Sequence, residues 1–398
     1  MRGDMSVLSE LLRPFSVRRY LSHHREKSTL FVRGEAAGKF HKLLSLETMD
    51  HIVASGFLRF PECKLAKQGR DVPPNRYIIG DASFGAIDID ALYSEYSKGA
   101  TIIVNSAQRY WRPLSNLCRE LERLLSVPVQ SNIYLTPKGS QGFTAHYDPH
   151  DVFILQIAGK KHWRLYGSPI ILPDEKQLFN SSMISVGRIR RRCTLRAGDL
   201  LYIPRGHIHD ATATQDASLH ITVGMRGITW GNLLQEAVTM LTRSDPTLRT
   251  SLPAGFAGRT SVPKSVQRQL LRLRSKVSSD LPLAGALDEI ADRFVSQRYQ
   301  SLEGQLMDLE SGDEIRLESI VERRPEILFR LWREKNKTCL LFFRKKMLFP
   351  AFAGPALKYI GAAASFRPLD IPGRLSNESK LVLCRSLVDE GFLKVSAE

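Results

Sequence analysis

Several things that would decide the class of this chain are scarce or missing. No apolar run reaches the roughly 18 residues that a membrane-spanning helix needs. The opening MRGDMSVLSELLRPF has no apolar core followed by a small-residue cleavage site, so no secretory leader is expected. Cysteine is sparse and scattered, at positions 63, 118, 193, 339 and 384. That spacing excludes a disulfide framework and a thiolate zinc site, and a reducing cytoplasm is the expected compartment. Acid is short: 41 Asp and Glu stand against 57 Lys and Arg, a net charge of +16. The imbalance favours RNA, a ribonucleoprotein particle or an anionic surface as partner, and is equally compatible with a solvated basic face. What is present in quantity is apolar, 43% of 398 residues, enough for a globular protein with two or more cores.

The pattern changes along the chain. Residues 1 to about 130 mix helical and strand signals. VLSELLRPF and FHKLLSLETMDHIVAS have helical spacing, and STLFVRG reads as a strand. IDIDALYSEYSKGATIIVNSAQR reads as a helix ending near Gly99 and then a strand. WRPLSNLCRELERLLSV reads as an amphipathic helix with proline near its start. From 131 to 230, short β-branched and aromatic runs alternate with Gly, Pro, Asp and Ser. NIYLTP, FTAHYD, VFILQIAG, KHWRLYG, CTLRAGDLLYIP and LHITVGMRG predict an antiparallel barrel or double-sheet jelly roll. From 231 to 305 the chain turns helical, with SVPKSVQRQLLRLRSKV and LAGALDEIADRFVSQRY expected to pair through SSDLP. Such a region forms either a cap or a dimer surface. Residues 306–398 predict helices ending in a short strand, compatible with a winged helix, with Ser376 as an N-cap and Gly391 as a stop.

The chemistry concentrates in TAHYDPHDVFILQIAGKKHW, residues 144–163. On a strand His146 and Asp148 point the same way, so imidazole and carboxylate can share one ion. GDLLYIPRGHIHDA brings His207 and His209 about sixty residues later, with the same parity, and spacing leaves the choice between them open. Two histidines and one carboxylate make the facial triad of non-haem Fe(II) oxygenases, with positions left open. His150 is placed at the pocket rim or behind the ligands, His162 as structural or substrate-facing, and His220 as a packed residue or one behind the ligands. An iron of this kind draws two electrons from a cosubstrate such as 2-oxoglutarate when it activates O2. The far carboxylate of 2-oxoglutarate needs a cation, and Lys161, beyond the apolar run, suits it; Lys160 reads as a surface residue of the same turn.

SNIYLTPKGSQGFTAHYDPHDVFILQIAGKKHWRLY and GDLLYIPRGHIHDATATQDASLHITV resemble the JmjC-type cupin oxygenases, and within them the ribosomal oxygenases, which hydroxylate ribosomal-protein side chains. The motifs are specific through about 131–232, and the order of regions agrees over nearly the whole chain. The resemblance implies a mainly β catalytic domain over 1–230, a double-stranded β-helix core at 131–230 after an N-terminal α/β elaboration at 1–130. An all-α dimerisation region over 231–305 and a winged-helix-like domain over 306–398 would follow. It implies iron ligands at His146, Asp148 and His209, so that His207 is not a ligand. It places the 2-oxoglutarate carboxylate on Lys161 and polar pocket residues at Asn132, Tyr134 and Thr222. DPHD departs from the more acidic segment common in the family, and VGRIRRRC at 186–193 adds a basic patch.

The sequence thus predicts an Fe(II)-, 2-oxoglutarate- and O2-dependent hydroxylase. Its expected target is a His or Arg side chain of a ribosomal protein, or of a ribonucleoprotein recruited by the basic patch. The expected assembly is a homodimer, with no membrane association. Alternatives are hydroxylation of another peptide or a modified tRNA base, N-methyl demethylation, and a non-catalytic ribosome-binding cupin protein.

Overall fold

The structure, a computed structural model, describes residues 6–81, 83–258, 262–300 and 302–396. Residues 1–5 of the opening segment and Ser261 of SVPKSV lie outside the described residues. The chain divides into two compact units, Met1–Gly227 and Ile228–Glu398.

In the first unit the strands are β1 (Leu30–Val32), β2 (Cys63–Lys67), β3 (Arg70–Asp71), the short pair β4 (Ile78–Ile79) and β5 (Ala86–Ile87), and β6 (Thr101–Val104). Then come β7 (Val129–Thr136), β8 (Asp151–Ala158), β9 (Lys160–Leu165), β10 (Arg191–Arg196), β11 (Leu200–Ile203), β12 (His209–Ala213) and β13 (Ser218–Met225). Eight of them form one sheet in the order β1-β11-β8-β13-β7-β6-β2-β3, and β10-β9-β12 form a second. The pairings within both are antiparallel.

The period of two along each strand sorts residues between two environments. Phe153 and Leu155 of β8, Ile221 and Val223 of β13 and Ile133 of β7 face a core shared with the N-terminal helices. That core includes Leu114, Leu117, Leu121 and Leu125, one face of the helix Arg112–Leu125. The alternate residues Val152 and Ile154 of β8 face the small sheet, packing with Trp163, Leu165, Leu195, Leu201 and Ile203. β8 is therefore buried on both faces, which is why VFILQIA reads as a continuous apolar run.

FTAHYD differs from its reading as a strand. Residues 143–148 lie outside the named strands, and only a bridge between His146 and His209 ties them to β12.

In the second unit the helices Trp230–Ser244 and Leu283–Ser296 pack together through Ala237 and Ala286, with Arg293 paired to Glu236. This corrects the expected pairing of 264–280 with 283–296. The helix Lys264–Asp280 is amphipathic, with Val266, Leu270, Leu273 and Val277 along one face and Lys264, Arg268 and Arg272 on another, yet it has no buried residue among those described.

Beyond it lie β14 (Val321–Arg323), β15 (Phe329–Glu334), β16 (Lys337–Phe342), β17 (Lys345–Pro350), β18 (Ser365–Phe366) and β19 (Leu393–Val395). They form the sheets β15-β16-β17 and β18-β14-β19. The helix Asn377–Asp389 begins at Ser376, whose Oγ accepts from Ser379 N, and the chain turns at Gly391 with φ of 78°. The meander over 329–350 is more β-rich than the helical reading of this region. Its two tight turns, at Lys335 (φ 54°) and Phe343 (φ 49°), lack the glycine that usually marks a hairpin. No helix among the described residues is long and apolar enough to cross a membrane.

Candidate metal centre and adjoining cavity

His146 sits in the loop between β7 and β8, and His209 opens β12. Their backbones exchange two hydrogen bonds, His146 N to His209 O at 3.1 Å and His209 N to His146 O at 2.8 Å. The reciprocal pair brings the two rings to 4.8 Å. Asp148 follows by two residues, and its carbonyl accepts from Gly206 N at 3.0 Å, joining the HxD loop to the PRG turn. One ligand atom from each of His146, Asp148 and His209 lies within 4.8 Å of the others. The His209 Nε2 to Asp148 Oδ2 distance is 3.6 Å.

The imidazoles are oriented by backbone carbonyls. His146 Nδ1 lies 2.7 Å from Thr144 O, and His209 Nδ1 lies 3.0 Å from His207 O. A carbonyl only accepts, so each Nδ1 carries the proton and each Nε2 keeps its lone pair. Burial, then the neighbouring His146, pushes His209 down to about 4, so its ring is neutral at pH 7. Burial acts to raise the Asp148 carboxyl, but His146, His150 and His209 together hold it below its ordinary value.

The other histidines stand apart from this cluster. His207 contributes its carbonyl, while its own Nδ1 is buried without a hydrogen-bond partner. The His150 ring lies against Gly224 of β13. His162 is exposed on the outer face of β9, 2.8 Å from Thr194 Oγ1.

A cavity of 330 Å³ opens between the two sheets and includes the triad. Lys161 enters it from β9 and is 5% exposed. Its ammonium donates to Thr136 Oγ1 at 3.0 Å, and Thr101 Oγ1 donates to the same oxygen at 3.2 Å. No carboxylate pairs with Lys161 among the described residues, and burial pushes it down to about 7. A buried lysine facing hydroxyls is a receptor for an anion. The turn that aims it depends on Gly159 (φ 65°), where a Cβ would strike Ala217 O at 1.8 Å.

Tyr134 and Thr222 also line the cavity. Tyr134 is pushed up to about 12 by burial, then by Asp148. Asn132 does not line it: its Oδ1 accepts from Ser106 N at 3.0 Å and Gln130 Nε2 at 2.9 Å. His220 is a packed residue at the cavity. It stacks on Tyr134 at 4.9 Å and 6°, forms part of the wall, and is held neutral by burial, then by Lys161. Thr136, Thr101, Lys64, Asn105 and Trp163 are further residues of the site that the motifs missed. Thr136 shares the parity of Tyr134 on β7 and was within reach of that rule; Lys64, from β2, carries no local signal.

The donor set suits a divalent metal: two imidazole nitrogens and a carboxylate converge, and the cavity adjoins them. The unpaired Lys161 suits an anionic cosubstrate in the same cavity.

The JmjC domain family matches residues 105–233. "Ribosomal oxygenase 1" of Gallus gallus is 30% identical over 304 residues, covering 72% of this chain and 50% of that protein. "Bifunctional lysine-specific demethylase and histidyl-hydroxylase NO66" of Dictyostelium discoideum is 29% identical over 351 residues, covering 82% and 66%. Residues 105–233 thus carry a JmjC domain, and the chain is similar to ribosomal oxygenases. It spans 50% and 66% of the lengths of these two relatives. The JmjC fold is shared with the Escherichia coli ribosomal oxygenase YcfD, whose structure in complex with cobalt and 2-oxoglutarate aligns with a TM-score of 0.56. That alignment has 16% identity and covers 96% of this chain and 99% of the other.

Proposed function

We propose that this JmjC protein is an Fe(II)- and 2-oxoglutarate-dependent dioxygenase that hydroxylates an amino-acid side chain of a ribosomal protein. The observation that carries this reading is the pairing, in one cavity, of a two-histidine, one-carboxylate cluster with a buried, uncompensated lysine. His146, Asp148 and His209 would hold the iron, and Lys161 with Thr136 would hold the far carboxylate of 2-oxoglutarate. Tyr134 and Thr222 would line its path, and Asn132 would brace Tyr134 from behind. When bound, Fe(II) and 2-oxoglutarate supply O2-dependent oxidation of a C–H bond, with succinate and CO2 as coproducts. The chain's own share is to keep the His209 imidazole neutral, to aim both rings through Thr144 and His207, and to surround the site with a largely apolar wall.

The cavity favours a neutral target side chain. Its carboxylates are Asp148, in the triad, and Asp210, which accepts from Arg164 Nε at 2.6 Å and Tyr166 Oη at 3.1 Å. Neither is uncommitted for a guanidinium or a methylated ammonium, and Lys64 in the wall is itself paired with Asp71. Histidine is thus preferred over arginine, and hydroxylation over N-methyl demethylation. The names of the relatives support the same class. Exposed Arg188, Arg190, Arg191 and Arg192 would recruit an RNA-bearing particle. Region 231–305 would form a homodimer: Leu234, at 50% exposure, and Leu287, at 59%, leave apolar surface there uncovered. Residues 306–398 would form the winged-helix-like domain. The five free cysteines support a cytoplasmic setting.

The test is incubation with Fe(II), 2-oxoglutarate and isolated ribosomal proteins, reading a gain of one oxygen atom by fragment mass spectrometry. The reading requires one histidine-bearing peptide to gain oxygen and a His209→Ala variant to leave it unmodified. Oxygen on an arginine peptide would reverse the target preference.

A further inference from the structure

The hairpin turn between β2 and β3 lies far from the triad in sequence and outside the matched JmjC segment. Gln68 and Gly69 form this turn with φ of 50° and 79°. Both spend their amide protons on another segment: Gln68 N donates to Gln141 O at 2.8 Å, and Gly69 N to Gly142 O at 2.6 Å. Those carbonyls belong to the strip that runs through Phe143 and Thr144 to His146. Gly69 also touches Thr144 so closely that a Cβ there would lie 2.5 Å from Thr144 Cγ2 and 2.7 Å from its Oγ1. Thr144 is the residue whose carbonyl takes the His146 Nδ1–H.

We infer that the Gln68–Gly69 turn is a positioning element for the metal ligand His146, acting through Thr144. Between Ser140, whose carbonyl accepts from Ala213 N of β12 at 2.9 Å, and the His146–His209 bridge, the loop pairs with no named strand. Two amides and one glycine contact supply the support that a strand would otherwise give. They fix where the Thr144 carbonyl sits, and that carbonyl fixes the ring orientation and tautomer that leave Nε2 for the ion. Gly69 has two reasons to be glycine, its left-handed backbone and the lack of room beside Thr144. The second reason is specific to the site. The inference rests on the proposed metal centre.

The experiment titrates Co(II) into the full chain and follows both affinity and the visible Co(II) ligand-field spectrum. His146→Ala must lose Co(II) binding; if the wild type does not bind Co(II), the metal reading fails, and this inference with it. Gly69→Ala should weaken Co(II) binding by about tenfold and alter the spectrum, the size expected for disturbing a ligand's hydrogen-bond partner. Gly69→Ala with Thr144→Ala keeps the strained backbone but removes the clashing side-chain atoms, and should restore affinity and spectrum. Unchanged Co(II) affinity and spectrum in Gly69→Ala, with wild-type binding intact, overturns the positioning role alone. A double variant as weak as the single one also overturns it, by assigning the loss to backbone strain.

Discussion

The two ends of the cavity are built by different means. At the metal end His146 and Asp148 stand on a loop, and His209 stands where a turn becomes a strand. Their geometry depends on backbone carbonyls two residues upstream of each imidazole, and on a reciprocal pair of amide bonds. At the lysine end every group comes from a regular strand: Lys161 from β9, Thr136 from β7 and Thr101 from β6. Here the sheet itself is the support, and position follows from period-two alternation. The loop-built end should respond sharply to small backbone displacements. The strand-built end should respond in proportion to the polar group removed.

The largest effect belongs to the metal end. His146→Ala and His209→Ala should each take turnover to background while the barrel remains folded, because the cores on both faces of β8 do not include these rings. Succinate formation, bound iron and thermal unfolding together check this; turnover retained in His209→Ala but lost in a His207 variant would move the ligand.

Next is Lys161→Ala, which removes the cation facing the anionic tail. It should weaken 2-oxoglutarate binding roughly 100-fold, a few kcal/mol for a buried charge-assisted pair, with Co(II) binding nearly intact. Equal losses for both ligands would erase the distinction between the two ends.

The third effect is in pH. Free Lys161 titrates at about 7, and a bound carboxylate raises it again. Above that value, binding must take up a proton. 2-Oxoglutarate affinity should therefore be flat below about pH 7 and fall about tenfold per unit above it, until the raised value of the complex is reached. Calorimetry in buffers of different ionisation enthalpy reads the proton uptake directly, and Lys161→Ala should abolish it.

The smallest effect is Thr136→Val. It keeps the volume and removes the acceptor 3.0 Å from Lys161. A loss of about 1 kcal/mol, or roughly fivefold in 2-oxoglutarate affinity, is expected, with no change in the Co(II) spectrum.

The same contrast explains what the sequence disclosed. Wherever a residue sits on a strand, its face was readable. β8 was an unbroken apolar run because both its faces are covered, and Tyr134 and Thr222 fall on the cavity parity of β7 and β13. Asn132 has that parity too, yet Ser106 and Gln130 claim its oxygen, an arrangement that depends on where a distant loop lands. Lys64 and Thr101 come from strands outside the motif, and alternation says which way they face but not that β2 and β6 extend the same sheet. His146 and Asp148 converge although FTAHYD is not a strand. The bridge to His209, which no local pattern encodes, does the aligning. In the second unit the partner of helix 283–296 was missed for a like reason: helix 264–280 is adjacent in sequence, but 230–244 offers the complementary apolar face. The meander over 329–350 escaped notice because its turns use lysine and phenylalanine at positive φ, against their usual preference.

The large sheet has a consequence for handling the protein. The recognised JmjC segment begins at residue 105, yet β1, β2, β3 and β6, half the strands of that sheet, precede it. A fragment trimmed to the recognised boundaries would strip the neighbours from β11 and β7 and leave two hydrogen-bonding edges bare, each beside apolar surface. Such a fragment is a template for strand addition between molecules, and it would precipitate whatever the state of its metal ligands.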